Sequence, residues 1–311
     1  MKRIIGSYTQ DIEGPLFVAI GGIHGNEQAG VKAIEIMIKM LEVEPITNPS
    51  FEYRGKFLGI RGNVKALQAG KRYIEGDLNR RWTKKNVERI LASDKNSLKN
   101  EAKEIRDILD VIHQEIESFK PTKLVVLDLH TTTAFGGIFS IPNDDPESFK
   151  IAQDLFAPVI KGLIKGIEGT TLHYFVNENF SIPTVAITFE SGQHYEQLSV
   201  NRAIAAITNC MRSIKVINAE HVENRHNKLL IDYSKGLPKV THLVNVHQIK
   251  KGDNFEMKPN YKNFQPIKKG ELLAKDVHGD IVASDDGLIL MPLYQKQGED
   301  GFFIIKKVEG Y

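Results

Sequence analysis

A short β-prone run, Leu16-Phe17-Val18-Ala19-Ile20, stops at Gly21-Gly22 and gives way within a few residues to apolar positions at helical spacing: Ala29, Ala33, Ile34, Met37 and Leu41. This reads as strand, loop and helix, the helix running from about Glu27 to Leu41. Phe57-Leu58-Gly59-Ile60, Leu124-Val125-Val126-Leu127 and Val185-Ala186-Ile187-Thr188-Phe189 read as further buried strands. Between them an amphipathic helix carries Ile105, Ile108, Leu109, Ile112 and Ile116 on one face. Strands that alternate with helices predict an α/β fold with a mixed, largely parallel central sheet flanked by helices on both sides.

The pattern changes after about His221. From Val240 onward, β-prone pieces such as Thr241-His242-Leu243-Val244-Asn245-Val246 alternate with turn signals at Lys251-Gly252-Asp253, Lys269-Gly270, His278-Gly279-Asp280 and Asp285-Asp286-Gly287. A small all-β C-terminal domain is expected there. The polar stretch Glu223 to Lys228 marks the boundary, giving a catalytic domain over 1–222 and a β-rich domain over 223–311.

At 311 residues and 41% hydrophobic content the chain can fill a core without staples. Its 41 Lys and Arg against 39 Asp and Glu give a net charge of +2, too weak a field to argue for nucleic acid or a membrane surface. A small-molecule partner is the default. The single cysteine, Cys210, has no internal partner and reads as a buried apolar residue in a reducing compartment. The N-terminus lacks the apolar core of a secretory signal, and no uncharged run reaches membrane-spanning length. The expected location is the cytoplasm.

Chemistry concentrates in Gly21-Gly22-Ile23-His24-Gly25-Asn26-Glu27, directly after the first strand. Histidine and glutamate three apart lie on one side of a helical or turn-like revolution, so both can face one ion. A catalytic zinc wants three protein ligands and one open position, and two histidines with one carboxylate form a recurrent set. His24 and Glu27 are candidate ligands. The third should come from the carboxyl end of another strand, which His130 supplies in Asp128-Leu129-His130-Thr131-Thr132. Strand alternation puts Asp128 on the face of His130, where it can accept a hydrogen bond from a ligand imidazole. Metal-activated water also needs a carboxylate that passes protons without coordinating. Glu190, following Val185 to Phe189, would hang over the same end of the sheet as general base. Histidines 113, 173, 221, 226, 242, 247 and 278 lack such company and read as structural.

A third cluster, Lys71-Arg72-Tyr73-Ile74-Glu75-Gly76-Asp77-Leu78-Asn79-Arg80-Arg81-Trp82, lies between the two halves of this site. Asn79 and Arg80 offer an amide and a guanidinium fork suited to gripping a substrate carboxylate. Arg72 could stabilise an oxyanion nearer the metal. By itself such a stretch is most often a solvated basic loop.

Four ordered motifs, Gly-Gly-Ile-His24-Gly-Asn-Glu27, Arg72-Tyr-Ile-Glu-Gly-Asp77-Leu-Asn79-Arg80, Asp128-Leu-His130-Thr-Thr and Ile-Thr-Phe-Glu190-Ser-Gly, resemble those of the succinylglutamate desuccinylase/aspartoacylase family, whose catalytic domain is zinc-carboxypeptidase-like. The likeness spans nearly the whole chain. It implies one zinc per chain on His24, Glu27 and His130, Glu190 as base and then acid, and Arg72 on the scissile carbonyl. It also implies that Asn79 and Arg80 hold a substrate carboxylate, and that a barrel-sandwich-like C-terminal domain narrows the entrance. The implied reaction is hydrolysis of the amide bond of a small, carboxylate-bearing N-acyl amino acid. Aspartoacylases proper carry an arginine upstream of the catalytic glutamate, where this chain has Asn177-Glu178-Asn179-Phe180-Ser181; their C-terminal tyrosine is not matched in Gly298 to Phe303. Gln193 and His194 follow the glutamate and could shape specificity, though a surface loop is the plainer reading.

Two other readings fit the same residues. One is a metallocarboxypeptidase on short peptides, with Asn79 and Arg80 reading the C-terminal carboxylate. The other is a non-catalytic binding protein stabilised by its metal, which a set of three ligands disfavours because structural zinc sites close with four. A homo-oligomer is compatible with the sequence, which encodes neither the acyl group nor the amino acid.

Overall fold

The computed structural model describes residues 1–221 and 225–311. Among these residues fourteen strands follow one another in chain order. In the first part these are β1 (Ile4–Thr9), β2 (Ile12–Gly21), β3 (Arg54–Arg61), β4 (Leu124–Thr132), β5 (Phe139–Pro142), β6 (Val159–Lys161) and β7 (Thr184–Gln193). They are followed by β8 (Val240–Gln248), β9 (Glu256–Met257), β10 (Gln265–Ile267), β11 (Leu272–Asp276), β12 (Gly279–Val282), β13 (Gly287–Leu290) and β14 (Asp300–Lys307). Eleven form one sheet in the order β1-β3-β2-β4-β7-β5-β6-β8-β14-β13-β10, and β12-β11-β9 form a small antiparallel one. The heart of the large sheet, β3-β2-β4-β7, is parallel; β1 and β5 join it antiparallel. The expected α/β class, with a mixed sheet between helices and a β-rich C-terminal part, is what the chain adopts.

Period-two alternation decides which side chains meet which layer. Phe17 and Ala19 of β2, Val125 and Leu127 of β4, and Val185 and Ile187 of β7 face helices Ala29–Thr47 and Leu198–Ser213, through Ala33, Ile34, Met37, Ala203 and Ile207. Leu16, Val18 and Ile20 of β2, with Leu124 and Val126 of β4, face the opposite way onto Ile105, Ile108, Leu109 and Ile112 of helix Asn100–Phe119. Each such fully buried aliphatic contributes roughly 1.5–3 kcal/mol of hydrophobic stabilisation. On this second face the apolar column turns polar toward the carboxyl ends: Leu124 and Val126 are followed by Asp128 and His130, and Ala186 by Thr188 and Glu190. Asp128 pairs in register with Thr188, and His130 with Glu190.

The first helix begins at Ala29 and runs to Thr47, past the expected end at Leu41 and through Pro45. Glu27 therefore lies in the preceding turn, closed by its N–H donating to the His24 carbonyl at 3.1 Å. The boundary expected at 222/223 falls outside the described residues. Across it the large sheet is continuous, since β6 pairs in parallel with β8, Val159 opposite Val240.

Candidate metal centre and cleft

Glycine makes the His24 turn feasible. A Cβ on Gly25 would sit 2.1 Å from the backbone carbonyl carbon of Ala66, and Gly22 has φ +75°. The chain can thus press against helix Val64–Ala69 while His24 and Glu27 point inward. The Arg72 loop is anchored from below by the buried carboxylate of Glu101, which accepts from the N–H groups of Ile74 (2.7 Å) and Glu75 (3.1 Å) and from Asn63 Nδ2 (3.1 Å).

His24, Glu27 and His130 come together from two segments a hundred residues apart, with one ligand atom each inside 4.8 Å of the others. All three are at most 4% exposed, and at that burial the charges need partners. His24 Nδ1 lies 2.7 Å from one Glu27 oxygen and His130 Nδ1 3.0 Å from the other, which also accepts the Thr131 N–H at 2.9 Å. The far nitrogens face buried carboxylates: His24 Nε2 is 3.1 Å from Asp77 Oδ1, and His130 Nε2 is 2.9 Å from Asp128 Oδ2. A carboxylate at Nε2 fixes the proton there and leaves the Nδ1 lone pair for a cation. The donor set fits a divalent metal, with three ligands, two oriented from behind, and the fourth side open to the cleft.

Asp128 lies at ion-pair distance from His130 Nε2 without the geometry of the expected hydrogen bond, whereas Asp77, only part of a motif in the sequence, is hydrogen-bonded to His24 Nε2. Asp77 also takes Arg72 at 2.9 Å and caps Asn79 N at 2.8 Å, so one carboxylate orients His24 and Arg72 together. We expect Asp77→Asn to weaken metal affinity by about 10–100-fold, as loss of such oriented contacts does; competition with a metal-indicator dye measures it, and wild-type affinity contradicts the role. Thr171, which no sequence pattern singled out, bridges the motifs: its N–H donates to Asn79 Oδ1 at 3.0 Å and its hydroxyl to Asp128 Oδ2 at 2.7 Å.

Glu190 stands across from His130 and lines the same cleft, with Oε2 buried and without a hydrogen-bond partner. Burial, helped by the negative charges of Glu27 and Asp128 and opposed by His130, pushes its carboxyl up to about 8. Arg72, Asn79 and Arg80 line the cleft too. Arg80 is already engaged: one guanidinium nitrogen donates to the Asn79 carbonyl at 2.6 Å and another to Asp300. Ile141, Leu163, Ile167 and Leu172 form an apolar side, and the C-terminal part adds Met291, Leu293, Gln295, Glu299, Asp300 and Phe303, while Gln297 accepts the Arg72 N–H at 3.2 Å. No local pattern marks the C-terminal residues, because they meet Arg72 and Arg80 across more than 200 positions of chain and Glu190 across about 100.

Of the histidines set aside, none of those described joins the cluster. His173 belongs to a capping box with Thr170, and His247 stacks on Phe255 and Phe302. Cys210 is buried and burial pushes its thiol up, as expected of an inert residue. No helix among the described residues is long and apolar enough to cross a membrane.

The model of the succinylglutamate desuccinylase/aspartoacylase catalytic domain matches residues 13–214. A probable aspartoacylase from Nostoc sp. is 26% identical over 295 residues, covering 88% of this chain and 88% of that protein. A succinylglutamate desuccinylase from Pseudomonas paraeruginosa is 26% identical over 276 residues, covering 83% of this chain and 73% of that one. Among solved structures, the product-bound ectoine utilization protein EutE (DoeB) from Ruegeria pomeroyi shares the fold with a TM-score of 0.66 at 16% identity, over 97% of this chain and 88% of that one.

Proposed function

The chain belongs to the succinylglutamate desuccinylase/aspartoacylase family, and from that premise we infer that it is a zinc-dependent amidohydrolase releasing the acyl group of a small, carboxylate-bearing N-acyl amino acid. One observation carries the reading: both histidine Nδ1 atoms converge on Glu27 with their Nε2 atoms backed by Asp77 and Asp128, and unpartnered Glu190 stands alongside. Three ligands and an open side suit a catalytic rather than a structural ion.

A zinc ion held by His24, Glu27 and His130 supplies Lewis acidity, lowering the pKa of water toward neutrality and polarising a carbonyl. Glu190 takes a proton from the attacking water at Oε2 and returns it to the leaving nitrogen, so the C–N bond breaks to a carboxylic acid and a free amine. Arg72, held by Asp77 and 3.6 Å from Glu27, turns its guanidinium toward the charge that develops on the carbonyl oxygen. Asn79 presents its amide N–H to a substrate carboxylate, its oxygen being taken by Thr171. Arg80 joins by exchanging Asp300 for that carboxylate. The wall contributed by residues 291–303 favours small substrates over peptides.

Purified zinc-loaded protein assayed on acetyl, succinyl and other acyl amino acids beside short peptides tests the reading. Turnover of one or more acyl amino acids, lost with chelator and restored by zinc, is the expected result. Turnover of peptides alone, or activity indifferent to chelator, contradicts it.

A further inference from the structure

One side of the cleft is apolar and has no part in the reaction above. Ile141 of β5 pairs in register with Thr188 of β7, so its side chain shares a sheet face with Thr188 and Glu190. Leu163 and Ile164, in the turn after β6, line the cleft together with Ile167 and with Leu172 of the short helix Thr171–Tyr174. All five belong to one hydrophobic cluster, which Phe303 and Met291 of the C-terminal part complete.

This side is fastened to the carboxylate grip. The Thr171 N–H donates to Asn79 Oδ1 at 3.0 Å and the Trp82 N–H to the Gly169 carbonyl at 2.9 Å, so residues 163–172 hold a fixed place beside Asn79 and Arg80. The α-carbon of an N-acyl amino acid carries a carboxylate, an amide nitrogen and a side chain. With the carboxylate at Asn79 and the nitrogen within reach of Glu190, the side chain is the group brought to the apolar side. Leu172 follows the residue that holds Asn79, and Ile141 stands beside the strand that carries Glu190.

A second carboxylate would find no cation there. Arg72 and Arg80 are the only Arg or Lys among the described residues that line the cleft. Arg72 is paired with Asp77 and Glu27, Arg80 with Asp300, and His194 is taken up by Thr131 and Gln295. When Arg80 turns to the substrate, Asp300 is released beside Glu299, and both repel further negative charge. A carboxylate pressed against aliphatic groups without a partner is strongly disfavoured.

We propose that the amino acid released is apolar, with a side chain of leucine or phenylalanine type lying against Ile141, Ile164 and Leu172, and that N-acyl aspartate and glutamate are discriminated against. The inference rests on the deacylase reading and deepens it by naming the class of amino acid.

Steady-state kinetics of zinc-loaded full-length protein tests it on the acetyl, succinyl and butanoyl derivatives of alanine, leucine, phenylalanine, aspartate and glutamate. Within each acyl series that is turned over, leucine should exceed alanine in kcat/KM by about 10–100-fold, at about fourfold per buried methylene, and exceed aspartate by about 100-fold or more. Ile164 is partly buried, so its truncation leaves the fold in place, as zinc content and melting check. Ile164→Ala should cut kcat/KM on the leucine substrate about 5–20-fold and on the alanine substrate by less than about twofold. Aspartate or glutamate derivatives turned over as fast as leucine's overturn the inference and leave the deacylase reading in place. So do rates that follow the acyl chain and ignore the side chain, or an Ile164→Ala loss equal on leucine and alanine substrates. A wild-type protein that hydrolyses none of the panel removes both.

Discussion

Glu190→Gln is expected to keep one zinc per chain and to lose turnover, with kcat falling about 10²–10⁴-fold, the usual worth of a positioned general acid–base. Glutamine has the shape of glutamate and can neither take nor return a proton. Because Glu190 lies in register with His130 on the neighbouring strand and its Oε2 has no partner in the protein, replacing its carboxyl by an amide disturbs no ligand contact. KM should therefore move little. Metal analysis and single-turnover kinetics on the same preparation check both halves, and a near-wild-type rate would contradict the assignment.

His24→Ala is expected to lose both metal and turnover, and stability with them. The imidazole stands between two buried carboxylates, Glu27 at 2.7 Å and Asp77 at 3.1 Å, and deleting it leaves Glu27 to His130 and Asp77 to Arg72. Breaking a buried charged network in this way costs about 3–5 kcal/mol. Wild-type protein also gains stability from any ligand that binds only the folded state, about 4 kcal/mol at a thousand times Kd. Zinc should consequently raise the melting temperature of wild type and leave His24→Ala unmoved. Full zinc occupancy in the variant, or equal melting shifts in both proteins, is the contrary result.

Much of the site was legible in the sequence because its parts are local. His24 and Glu27 share one turn, Asp128 and His130 share one strand face, and Glu190 ends a run whose apolar residues mark it as buried. The parallel heart of the sheet was legible for the same reason, since β2, β4 and β7 are apolar on both faces. β5 and β6 are four and three residues long, too short to show a period, and β1 lies at the sheet edge without a fully buried residue. Illegible too were contacts that depend on how distant segments dock. Thr171 is only the first residue of a short helix capped by Thr170, and nothing local shows Asn79 and Asp128 on either side of it. Nothing near Asp300 in the sequence shows that it occupies the Arg80 guanidinium. His194 resembled a surface loop residue, but the turn after β7 folds it back onto Thr131.

Anomalous diffraction at the zinc edge, from crystals grown with the metal, bears most directly on the convergence at Glu27. The expected map has a single strong peak about 2.0–2.2 Å from His24 Nδ1, His130 Nδ1 and a Glu27 oxygen, with Glu190 near but outside bonding distance. A peak elsewhere, no peak in zinc-loaded crystals, or Glu190 as a direct ligand would contradict it.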